Sequence, residues 1–168
     1  KNKVIVKPIN LKKSTAKELQ DNSLLFRLGD REHSKGILQS QIKSINQSNK
    51  TTISALHKAK ELAIEMYDSL KENDLTKFSD ILNRGWEAKR NYAKGVSNKR
   101  IEMVSKKAIE NGAQALKVTG AGGGGHFFIY ANPSKHNSII KSLKKLGVDN
   151  VDFKYQNQGS RVFEINNL

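Results

Sequence analysis

Five of the six positions from 120 to 125 are glycine: Gly120, Gly122, Gly123, Gly124 and Gly125, interrupted by Ala121. Each glycine loses more backbone freedom on folding than any other residue and gives the core no side chain. A two-residue hairpin needs only one or two of them. Five in one short stretch imply a segment that must expose successive backbone N–H groups and let a ligand or another backbone approach closely. The flanks, Ala115 to Val118 and Phe127 to Tyr130, are short runs of β-type residues, which predicts a strand, a loop and a returning strand. A plain hairpin rich in positive φ is the competing explanation. Lys117 and Thr119 add a cation and a hydroxyl at the loop's entrance, a combination suited to phosphate or another anion.

Two common nucleotide motifs fail here. Gly120, Gly122 and Gly125 formally satisfy G-x-G-x-x-G, but that motif needs a helix to open within the loop so that its N-terminus meets pyrophosphate. His126 to Tyr130 reads as strand instead, and Pro133 starts the next helix too late. A Walker A loop would continue with Lys and Ser or Thr, where this chain has His126 and Phe127.

Elsewhere the periodicity is mostly helical. Val4 to Pro8 reads as a short strand and Leu11 to Leu19 as a small helix; residues 1–21 together resemble a strap belonging to another domain. Asn22 to Gly29, carrying Leu24, Leu25 and Phe26, predicts the first core strand. Four helices follow: one on Ile37, Leu38, Ile42 and Ile45; one from Ile53 to Leu70, capped by Thr51 or Thr52; one from Leu75 to about Tyr92; and one on Ile101, Val104, Ala108 and Ile109, capped by Ser97. Asn132 and Pro133 open a last helix that Gly147 ends. Val151 to Tyr155 and Arg161 to Ile165 predict a closing hairpin. Strands and helices mixed without βαβ alternation give an α+β domain, an antiparallel sheet layered with helices, over residues 22–168.

The 168 residues suffice for one core without staples, and the absence of cysteine removes disulfides, thiolate metal sites and a cysteine nucleophile. No apolar run approaches the ~20 residues needed to span a bilayer, which predicts a cytoplasmic protein without membrane partners. A chain that opens on Lys1 and runs straight into Val4-Ile5-Val6 reads as part of a longer polypeptide. Thirty basic against 16 acidic side chains, net +14, attract polyanions of some kind.

The run Lys117-Val118-Thr119-Gly120-Ala121-Gly122-Gly123-Gly124-Gly125 resembles the third conserved motif of the GHMP kinases. Further likeness lies in Leu24 to Ser34, Trp86 with Lys89, Ser97-Asn98, Val151 to Lys154 and Gly159 to Val162, and is greatest toward the heptose 7-phosphate kinase branch. The resemblance implies the family's C-terminal domain, ATP with Mg as cofactors of the intact enzyme, a sugar phosphate substrate, and heptose activation for surface glycans such as lipopolysaccharide or capsule. It assigns Lys117, Thr119, Gly120, Ala121, Gly122, Gly123, Gly124 and Gly125 to cofactor binding. It also implies that the main phosphate loop and the catalytic aspartate sit on an N-terminal domain, the chain's principal partner. No catalytic residue is expected in these 168 residues, no cofactor is expected tightly bound to them, and they are expected not to turn over ATP alone.

Lys89 and Arg90, at the end of one helix, could bind an anionic sugar phosphate, or could simply complement the helix dipole. Asp30 and Arg31, with Ser34, follow the first strand and could face substrate, or form a turn and cap. The four histidines lack metal-ligand spacing with acidic partners. An RNA- or DNA-binding α+β module is the alternative that the charge allows, but such sheets need exposed aromatics, whereas Phe127 to Tyr130 is apolar on both faces.

Overall fold

The computed structural model describes residues 6, 8–29, 34–156, 159 and 162. Its elements are α1 (Lys13–Asp21), β1 (Ser23–Gly29), α2 (Ser34–Asn46), α3 (Lys50–Glu72), α4 (Leu75–Arg90), α5 (Lys99–Glu110), β2 (Ala115–Val118), β3 (Gly125–Tyr130), α6 (Pro133–Lys144) and β4 (Asp149–Val151). The four strands form one antiparallel sheet in the order β2-β3-β1-β4. This is the α+β arrangement the pattern predicts.

Alternation along the strands splits the sheet into two faces. Leu24, Phe26 and Leu28 of β1, Leu116 and Val118 of β2, and Phe127 and Ile129 of β3 enter the main core with Trp86, Val96, Ile101, Val104, Ile139 and Leu143. The other set, Ala115 and Tyr130, meets Leu19 of α1 and Leu75 and Phe78 of α4, with Phe128 packed alongside. The Tyr130 ring sits edge-on to Phe78, with centroids 5.5 Å apart. Lys117 shares this second face, because it lies opposite Phe128 in the ladder.

Helix ends follow cap chemistry, with two shifts from expectation. The α3 cap is Asn49 rather than Thr51 or Thr52: its side chain accepts from the Thr52 N–H at 3.0 Å. Asn98, not Ser97, caps α5 by accepting from the Ile101 N–H, and the Ser97 hydroxyl donates to Glu102 instead. The α3 exit uses Asn73 at φ 60°, a left-handed position that asparagine tolerates.

The predicted closing hairpin is corrected where it can be seen. The strand lies at Asp149–Val151 and pairs with β1, while residues 152–156 join no ladder. The Gln20 side chain takes their backbone groups, accepting from the Tyr155 N–H at 2.7 Å and donating to the Phe153 carbonyl at 3.3 Å. Most of Arg161 to Ile165, and most of the N-terminal run Val4 to Pro8, lie outside the described residues.

Candidate active-site wall

The glycine loop closes the β2-β3 hairpin. Val118 pairs with Phe127, and the Thr119 N–H and hydroxyl both donate to the His126 carbonyl, at 2.9 and 3.2 Å. Thr119 therefore fastens the neck of the loop. Beyond it Gly120, Gly122, Gly123 and Gly125 all have positive φ, which side chains disfavour by roughly 1–2 kcal/mol per residue. Two of them also have no room for one. A Cβ on Gly122 would lie 2.8 Å from the Val96 carbonyl oxygen, and one on Gly123 would lie 2.5 Å from Ile37 Cδ1 and 3.1 Å from the Gly95 carbonyl. Gly120, by contrast, faces open space.

The loop's backing comes from two helices, α2 and α4, and from the turn between α4 and α5. Ile37 of α2 is buried under Gly95 and Gly123, and Val96, in the turn from α4 to α5, is fully buried. The Gly123 N–H donates to the Val96 carbonyl at 2.9 Å, and Asn98 donates to the Gly123 carbonyl at 3.1 Å. From α4, the Lys89 ammonium reaches behind the hairpin and donates to the carbonyls of Val118 at 2.7 Å and Gly120 at 2.6 Å. Lys89 is 6% exposed. Burial first, and the neighbouring Lys117 cation second, lower its pKa to about 8.

These contacts give the loop a polarity. Carbonyls of Val118, Gly120 and Gly123 are drawn toward the protein by cationic or amide donors, while the N–H groups of Gly120, Ala121 and Gly122 have no acceptor among the described residues. Successive unclaimed N–H groups in a chain turned by positive φ are the groups from which an anion-binding nest can be built.

The remaining candidates are placed as follows. Lys117 points away from the loop: its ammonium would be 3.3 Å from a Cβ on Gly85 and lines the crevice between α3 and α4. Burial lowers its pKa too. Arg90 lies over the Trp86 ring at 5.2 Å and donates to Glu87 and, at 2.8 Å, to Glu102, so its charge is already opposed by two carboxylates. Asp30 and Arg31 lie outside the described residues, as does the Ser34 side chain. No cluster of acidic and histidine side chains fit to hold a metal occurs among the described residues. The backing role of Ile37, Val96 and Asn98 rests on tertiary contact, and Gly95 and the asparagine before α5 are its traces in the sequence.

A glycine hairpin held in this way lies within residues 66–149, half of the chain, which match the family model described as "GHMP kinases C terminal". The chain belongs to the GHMP kinases. It is 31% identical over 163 residues to D-glycero-alpha-D-manno-heptose 7-phosphate kinase of Campylobacter jejuni, a match covering 97% of this chain and 48% of that enzyme. It is 29% identical to the galactokinase of Pyrococcus furiosus over 73% of this chain and 34% of that protein. The chain thus spans about half the length, or less, of these relatives. The fold recurs in mevalonate kinase from L. major, at TM-score 0.64 and 20% identity over 83% of this chain and 40% of that one. Among the described residues no helix is long and apolar enough to cross a membrane.

Proposed function

We propose that this GHMP domain serves a heptose phosphate kinase, which transfers the terminal phosphoryl group of ATP to a hydroxyl of a sugar phosphate in the cytoplasm. The product would feed nucleotide-activated heptose for surface glycans. The observation that carries the reading is the loop's polarity: carbonyls tied back by Lys89 and Asn98, and N–H groups of Gly120, Ala121 and Gly122 left without an acceptor among the described residues. Phosphoryl transfer is catalysed mainly by positioning and by donors aimed at developing charge, and unclaimed N–H groups on a rigid hairpin are donors of that kind.

In this reading the loop from Gly120 to Gly125 is one wall of a composite site. ATP, when bound, supplies the phosphoryl group; the chain's own residues keep side chains out of the wall and hold its backbone still. Lys89 acts from behind, as a positioning residue. Residues 22–168 form the C-terminal domain, and residues 1–21 the passage from an N-terminal domain that brings the main phosphate loop, the catalytic aspartate and the ligands of magnesium. The likeness to the Campylobacter heptose kinase over 97% of the chain supports the substrate class. The nucleic-acid reading is less favoured, since Phe127, Ile129 and Tyr130 are buried and the remaining β3 aromatic, Phe128, is half-buried against the second core cluster.

A coupled assay for ADP release tests this directly. The 168-residue chain alone should give no sugar-dependent turnover with ATP and heptose 7-phosphate. The same chain joined to a GHMP N-terminal domain should give turnover specific to the sugar phosphate. Turnover by the chain alone would contradict the composite site, and a joined enzyme that ignores sugar phosphates would contradict the substrate class.

A further inference from the structure

The crevice between α3 and α4 encloses about 240 Å3 and is walled by apolar groups, chiefly Leu62, Ala63, Met66 and Ile81, with Gly85 opposite. Among the described residues, Lys117 is the one charged residue that lines it. The absence of a side chain on Gly85 makes room for the ammonium, since a Cβ there would lie 3.3 Å from Nζ. Lys89 has two carbonyl acceptors, whereas the Lys117 ammonium has none among the described residues. A half-buried cation facing an apolar hollow lacks the compensation that buried charges need.

We propose that this crevice is a second ligand site, distinct from the glycine loop, for a small aliphatic monocarboxylate: the carboxylate on the Lys117 ammonium and the hydrocarbon tail between α3 and α4. One cation matches one carboxylate. A phosphate dianion would bring more charge and more acceptors than a single ammonium satisfies, and a neutral apolar molecule would leave that ammonium unpaired. The volume sets the length. At the ~30 Å3 that a water occupies in the liquid, the crevice has room for about eight non-hydrogen atoms, the size of hexanoate. Binding there would also offset the repulsion between Lys117 and Lys89, so the ligand and the proton on Lys89 are linked.

Calorimetric titration of this chain with a series of carboxylates tests the site. From acetate to hexanoate the affinity should rise about fourfold per added methylene and then stop rising as the crevice fills. Hexylammonium should not bind. Lys117→Met should weaken hexanoate by at least about tenfold, the size of one lost charge-assisted contact. Ala63→Trp, at an exposed position on the crevice wall, should block hexanoate while leaving Lys117 and the melting temperature unchanged. If Lys117→Met fails to fold, the chain-length series and Ala63→Trp decide. Equal binding of acetate and hexanoate, binding of hexylammonium as tight as that of hexanoate, or undiminished binding by Ala63→Trp would each overturn the proposal.

Discussion

The two halves of the glycine loop use glycine for opposite reasons. Gly122 and Gly123 press against Val96, Gly95 and Ile37, where an added Cβ would collide; these glycines exist so that the loop can lie flat on its own domain. Gly120 faces open space, and its N–H and those of the next two residues have no acceptor among the described residues. One part packs flat on its own domain, while the other, tied back only through the Gly120 carbonyl, is open to solvent at Gly120. Rigidity and exposure are therefore divided along six residues, and substitutions in the two halves should fail differently.

The largest effect should come from the packed half. Gly122→Ala combines positive φ with a Cβ 2.8 Å from a backbone carbonyl that cannot swing aside. It should cost roughly 3 kcal/mol or more in denaturant unfolding. A loss under about 1 kcal/mol would mean that the Val96 turn yields, and the contrast between the halves would disappear.

Next comes the pH response of the tether. The folded chain releases the Lys89 proton near pH 8, below the ordinary lysine value of 10.5 at which the unfolded chain releases it. Between those values the unfolded chain holds more protons, so stability rises with pH. The difference between wild type and Lys89→Met should change by up to about 3 kcal/mol across that window, the equivalent of about 2.5 pKa units. Lys117, lowered by burial, pushes wild-type stability in the same direction. Parallel pH profiles for the two proteins would show that Lys89 is charged throughout and that the tether does not titrate.

The smallest stability effect belongs to the open half. Gly120→Ala has φ 69° but meets nothing within 4 Å, so it should cost only about 1 kcal/mol. In a two-domain enzyme it should reduce turnover more than its stability loss explains if the new methyl group stands on the wall proposed to face phosphate.

The sequence made the elements and the loop legible because both are local: hydrophobic period sets strand and helix, and a run of glycines has few uses. What backs the loop was not legible, because it depends on tertiary contact. Lys89, a helix-end cation in the sequence, is buried behind the hairpin, and Lys117, adjacent to the loop, turns to the other face because strand alternation puts it opposite Phe128. Ser97 and Asn98 are both good caps side by side; the asparagine oxygen reaches the Ile101 N–H, and the serine is drawn to Glu102. Val151, Phe153 and Tyr155 alternate like a strand, yet Gln20, more than 130 positions away, takes the backbone of the last two. Side chains that act on distant backbone leave no periodic trace.

Amide hydrogen exchange resolved at single residues tests the division of the loop most directly. The Gly123 N–H, bonded to the Val96 carbonyl at 2.9 Å, should be protected. The N–H groups of Gly120 and Ala121 should exchange far faster than that of Gly123. Protection of those two equal to that of Gly123 in the ligand-free protein would mean that their donors are already spent, and the loop could not be the phosphate-facing wall proposed for it.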